Sequence, residues 1–184
     1  MSRLPVLKLE DMNDEQKAVR EKIISGPRGR SAAIFNLLVN SASFCDTAQE
    51  VGAYLRYKSK VSDRVRELAI CISSTFSKAD FEWRAHMPLA VQAGVPESTL
   101  NSIGRGVRPD FSTDEDRLVY EYISAVLAKK GIPDAVFEEA REKFGDEQLM
   151  DLTGLAGYYT MLATVMLAHG LMPEPEEPRA PWRD

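Results

Sequence analysis

Between Glu147 and His169, the residues Leu152, Leu155, Tyr159, Leu162 and Met166 recur at alternating intervals of three and four. That spacing gathers side chains on one face of an α-helix, whose repeat is about 3.6 residues per turn, and would scatter them on a strand. Gly154, Ala156, Gly157, Ala163 and Ala168 lie among them, so a neighbouring helix can approach closely. The same intervals fill the rest of the chain. No segment alternates apolar and polar residues between turns as a half-buried strand would. The pattern predicts an all-α protein of about eight helices.

Caps and breakers mark where those helices start and stop. Asn13 and Gln16 have capping-box spacing and open the first, which Gly26-Pro27 ends. Shorter helices are expected around Ile34 to Val39 and from Phe44 to Tyr57. Ser62 can cap a helix to Ser77, with Val65, Leu68, Ala69 and Ile72 as its core stripe. The next runs from Ala79 to Ala93 and is stopped by Gly94, and Val95-Pro96-Glu97 begins a short one to Gly104. Ser112 and Glu115 form a second capping box, opening a helix to Lys130. Gly131 to Asp134 is a break, and Gly145 separates a helix ending at Phe144 from the last one.

The 184 residues fit a single domain. Residues 1–172 read as that helical domain, and 173–184 as a Pro-rich, charged, extended tail whose Trp182 can dock on a surface but is expected rather in solvent. A net charge of −5 gives no electrostatic support to a nucleic-acid or anionic-membrane partner. The most apolar segment, Met161 to Met172, is interrupted by Thr164, His169 and Gly170 and is too short to span a bilayer. The first ten residues already carry charges, which predicts no secretory signal and a cytoplasmic protein. Cys45 and Cys71 are too few and too far apart for a disulfide framework or a four-thiolate zinc site, and read as buried thiols.

One stretch carries chemistry. In Ala79-Asp80-Phe81-Glu82-Trp83-Arg84-Ala85-His86, the residues Ala79, Glu82, His86, Leu89 and Ala93 share one helical stripe. A carboxylate and an imidazole are thus set into a face that otherwise wants a core. Burial of either alone costs several kcal/mol, so they are expected to pair with each other or with a third group. At i,i+4 they are within reach. In such a pair the glutamate orients the ring and the imidazole moves a proton near neutral pH. The same spacing fits a surface ion pair. Glu67, on the preceding helix with Arg64, Cys71 and Ser74, can meet His86 if the two helices pack antiparallel, or can pair with Arg64 or Arg66 at the surface. The three groups lack a second histidine at metal-ligand spacing, so no metal is expected. His169 reads as a cation at a helix C-terminus or a packing residue.

The run Arg66-Glu67-Leu68-Ala69-Ile70, then Phe81-Glu82-Trp83-Arg84-Ala85-His86, then Ala93-Gly94-Val95-Pro96, resembles the carboxymuconolactone decarboxylase family. That family is similar in fold to the alkylhydroperoxidase D proteins. Phe144-Gly145 and Gly157-Tyr158-Tyr159 fit the same pattern, and Ser25-Gly26-Pro27-Arg28-Gly29 fits its longer members. The resemblance spans roughly residues 10–172. It implies an alkylhydroperoxidase D-like helical fold and a homo-oligomer, a trimer or hexamer, with a site near His86. The peroxidase branch places a Cys-x-x-Cys pair between its glutamate and its histidine. Glu67 and His86 match the ends of that pattern, but Ala79 and Glu82 stand at the cysteine positions. A thiol peroxidase needs an attacking and a resolving thiol there.

The decarboxylase branch needs neither thiol nor cofactor, because an unsaturated substrate accepts the electrons released with carbon dioxide. The resemblance therefore implies a cofactor-independent lyase acting on a small anionic, unsaturated carboxylate or lactone. His86 would donate or relay the proton, Glu82 would orient it, and Glu67 would be a supporting carboxylate. Arg66, Arg28 and Arg30 are candidates to hold substrate carboxylates, and Trp83 is a further substrate-binding candidate. Two other readings stay open. One is an antioxidant redox protein using Cys71 or a partner thiol, and the other is a helical, oligomeric binding module without chemistry.

Overall fold

The computed structural model describes residues 2–173 and 180–183, and every regular element among them is helical. The extended course expected of the tail falls largely on 174–179, outside the described residues. The chain forms two compact units, residues 1–59 with 165–172, and residues 60–164 with 173–184.

In the first unit, α1 (Asp14–Ser25) opens on the expected capping box. The Asn13 side chain accepts from the Gln16 amide at 2.9 Å, and the Gln16 side chain accepts from the Asn13 amide at 3.0 Å. Helices α2 (Ala33–Leu38) and α3 (Ala42–Tyr57) follow, and α3 packs against both α1 and α2. Val19 and Ile23 of α1 and Ile34, Phe35, Leu37 and Leu38 of α2 are buried. The chain start is tied down at the His169 carbonyl, which accepts from the Arg3 amide at 2.7 Å and the Ser2 hydroxyl at 2.9 Å.

The second unit is built around α4 (Asp63–Ser77), which packs against α5 (Asp80–Gln92), α6 (Glu97–Gly104) and α7 (Asp114–Ala128). Ser62 caps α4 as expected, its side chain accepting from the Val65 amide at 3.3 Å. Val65 and the unbroken run Glu67 to Thr75 are buried, the signature of a helix surrounded by others. α5 is likewise covered on more than one side, burying Asp80, Glu82, Trp83, His86 and Ala90. Arg64 ties the unit together. Its guanidinium donates to both oxygens of the fully buried Asp116 on α7, at 3.0 and 2.6 Å, and also to the Gly94 carbonyl that follows α5.

The start of α7 differs from expectation by one residue. Thr113, not Ser112, is the cap and accepts from the Asp116 amide at 3.1 Å. This register places Asp116 where Arg64 reaches it. α8 (Asp134–His169) contains the anticipated break at Gly145, whose φ of 70° is open to glycine at little cost. Its last turn belongs to the first unit. No described helix is long and apolar enough to cross a membrane.

Candidate active site

α4 and α5 pack directly against each other, which brings Glu67 of α4 and His86 of α5 together. Glu67 Oε2 lies 2.7 Å from His86 Nδ1, and both side chains are buried. A carboxylate at that distance accepts a hydrogen bond from Nδ1–H, which fixes the tautomer and leaves proton exchange to Nε2. The other oxygen of Glu67 accepts from Arg66 Nε at 3.3 Å. Arg66 also reaches Asp63 at 2.9 Å through Nη2. Burial of the dyad is thus offset by a hydrogen bond between its members and a guanidinium on its outer side. Tyr159 of α8 stands edge-on to the imidazole, with ring centroids 5.1 Å apart, and Tyr158 packs edge-on against Tyr159. In the sequence Tyr159 belongs to a core stripe and to the Gly157-Tyr158-Tyr159 run of the family resemblance, and neither assigns it to the site.

The pairing of Glu82 with His86 expected from their spacing is corrected by this geometry. Both Glu82 oxygens are buried and have no hydrogen-bond partner. Residues at i and i+4 leave one helix side by side, whereas Glu67 approaches from the facing helix and meets the ring head-on. Burial pushes the Glu82 carboxyl well above its ordinary value of 4.5, because no donor compensates the charged form. The site therefore combines a carboxylate engaged by an imidazole and a guanidinium with a second carboxyl, one turn from the imidazole, that favours its neutral form.

The remaining expected residues are distributed as follows. Arg66 adjoins the dyad, as described. Trp83 is buried and makes an edge contact with Trp182, with ring centroids 5.3 Å apart. The tip of the tail is therefore docked and not solvated as the sequence suggested. Arg28 and Arg30 belong to the first unit. Arg28 lies over the Phe35 ring at 4.5 Å and donates to the Gln49 carbonyl at 3.3 Å, while Arg30 is exposed. Cys71 sits one turn after Glu67 and is fully buried, and burial together with the Glu67 charge pushes its thiol upward. Burial pushes the Cys45 thiol up to about 12. Among the described residues, no group of three His, Cys, Asp or Glu side chains is placed to hold a metal ion.

No family profile matches the chain, and no curated protein does. Among solved structures it is similar to a protein of unknown function from Agrobacterium tumefaciens, provisionally assigned as the antioxidant defence protein AhpD. The two are 18% identical, with a TM-score of 0.61 over 71% of this chain and 90% of that one. At this identity the likeness speaks for architecture. The chain has the all-helical, AhpD-like fold that its motifs implied.

Proposed function

We propose that His86, Glu67 and Glu82 form a general acid–base site that acts without a cofactor on a small anionic, unsaturated carboxylate or lactone, as a carboxy-lyase would. The observation that carries this reading is the buried 2.7 Å contact between Glu67 and His86, with an unpartnered buried carboxyl one turn from the ring. Glu67 orients the ring and stabilises its protonated form, and His86 moves a proton at Nε2. Glu82 has the character of a proton reservoir, since its surroundings favour the acid and not the anion. In a decarboxylation, the electrons of the breaking carbon–carbon bond pass into the conjugated system, carbon dioxide leaves, and the resulting dienolate takes a proton from His86 or Glu82. Arg66 makes its two carboxylate contacts through Nε and Nη2, so Nη1 is the atom to meet a substrate carboxylate.

The test is a panel of small unsaturated carboxylates and lactones, followed by carbon dioxide release and loss of conjugated absorbance. Turnover is expected to disappear in His86→Ala and to fall about 100-fold or more in Glu67→Gln. Full activity in His86→Ala would sink the mechanism. No turnover across the panel, with ligand retained, would favour a binding module.

The redox reading draws on one observation, the fold likeness to a chain assigned to antioxidant defence. It would use Cys71 or an external thiol against peroxide. Peroxide consumption that is lost in Cys71→Ser would support it. The buried, upward-shifted thiol argues against it, because the thiolate is the nucleophile.

A further inference from the structure

The end of the chain returns to the helix that carries Glu82 and His86. Ala180 is fully buried, and its amide donates to Asp80 Oδ1 at 3.0 Å. Asp80 opens α5 and is itself buried. Its other oxygen faces Arg84 Nη2 at 3.6 Å and Arg183 Nε at 3.8 Å. Trp182 stands edge-on to Trp83, and the Lys78 ammonium lies 5.1 Å from the Trp182 ring centroid. Pro181 closes the same contact on α6. A Cβ added at Gly104 would stand 2.7 Å from Pro181 Cγ and 3.0 Å from the Trp83 ring, so only glycine leaves room for the turn. At about 100° per residue, Asp80 and Arg84 fall on the side of α5 away from Glu82, and Trp83 lies on the flank between.

We propose that Ala180 and the turn Pro181–Arg183 form a clasp that holds the start of α5 from the side away from Glu82. The tail is then a positioning element for the candidate site. α4 fixes one side of α5 through packing and the Glu67–His86 contact. The clasp fixes the other through a buried carboxylate, two guanidiniums and an aromatic pair. The placement of α5 does not depend on whether His86 moves a proton, so the proposal stands apart from the acid–base reading.

The full chain offers a clean reporter, because Trp83 and Trp182 are its only two tryptophans. In Trp182→Ala, Trp83 emission is expected to shift to the red, and amide exchange across α5 to accelerate about tenfold while α7 keeps its protection. The His86 ring resonances, assigned against His169→Ala, are expected to change their titration profile, which a loss of global stability alone would not produce. Arg183→Ala, at a half-exposed position, should show the same pattern in weaker form and serves if Trp182→Ala does not fold. Unchanged α5 exchange and an unchanged His86 titration would overturn the proposal, as would equal loss of protection in α5 and α7. Loss of lyase activity with an unmoved α5 would count against the clasp alone.

Discussion

Replacing Glu82 by Gln removes one titrating proton from a site that has no other compensation, and the consequence is a pH dependence with a definite sign. Glu82 is 4% exposed, and neither of its buried carboxyl oxygens has a hydrogen-bond partner. Its folded pKa is raised well above 4.5, the value expected in the unfolded chain. Between those two values the folded protein holds a proton that the unfolded chain has lost. Stability therefore falls as pH rises, by about 1.4 kcal/mol per pH unit when one full proton is involved. Below 4.5 both states are protonated, and the contribution is constant. Above the folded value both are ionised, and it is constant again. The other titrating groups are shared by wild type and variant, so the difference between the two isolates Glu82. Urea unfolding of both proteins at intervals from about pH 4 to about pH 8 measures it. Wild type should lose ground to Glu82→Gln at close to the full slope once the pH passes the unfolded value. A difference that stays flat across the range would show that Glu82 titrates normally, and would remove the neutral acid from the proposed site.

Two further outcomes follow from burial elsewhere. Arg64→Ala leaves the fully buried Asp116 uncompensated and should cost about 3–5 kcal/mol, whereas Asp116→Asn keeps an acceptor for a partly exposed guanidinium and should cost less. Urea unfolding distinguishes them, and the reverse order would refute the account. Cys45 and Cys71 should resist alkylation in native buffer and react promptly in denaturant, because burial holds both thiols protonated. Prompt reaction of either in the native chain would contradict this and revive the redox reading.

The helices were legible because their signals are local. Asn13 with Gln16, Ser62, and the breaks at Gly94 and Gly145 each act within a turn of the residue that carries them. The meeting of Glu67 with His86 was legible as one option, since it needed only that α4 and α5 pack antiparallel. What spacing could not rank was the competition for the ring. Glu82 and Glu67 are both in range on paper, and the choice between them is made by the helix facing α5. The same holds for Ser112 and Thr113. Both residue types can cap, and the register seen is the one in which Asp116 meets Arg64, 52 positions away along the chain. Trp182 was misread because a tail rich in proline and charge has no periodicity to show a docking face. Its partner Trp83, like the Asp80 that the Ala180 amide reaches, lies about 100 residues away, a separation over which sequence pattern carries no information.

The exchange of partners at His86 changes what the site can be. Had Glu82 paired with the ring, the site would hold one dyad and a spare carboxylate beside a guanidinium. With Glu67 in that role, the dyad and Arg66 leave Glu82 as a second acidic group of different character. The Cys-x-x-Cys pattern of the peroxidase branch puts sulfur where this chain has Ala79 and Glu82. A buried thiol there would be useful only as a thiolate, which needs a neighbouring cation or base. A carboxyl in the same place faces the opposite demand, since burial without a donor favours its protonated form. A cysteine pair introduced with Ala79→Cys and Glu82→Cys would therefore act only if His86 supplies that base. The Nδ1 of His86 is held by Glu67 at 2.7 Å, so Nε2 is the atom that would have to take the thiol proton. Peroxide consumption by the double variant with a dithiol donor, lost again when His86→Ala is added, is expected if Nε2 exchanges protons as argued; a folded double variant that consumes none would count against Nε2 as the exchanging atom.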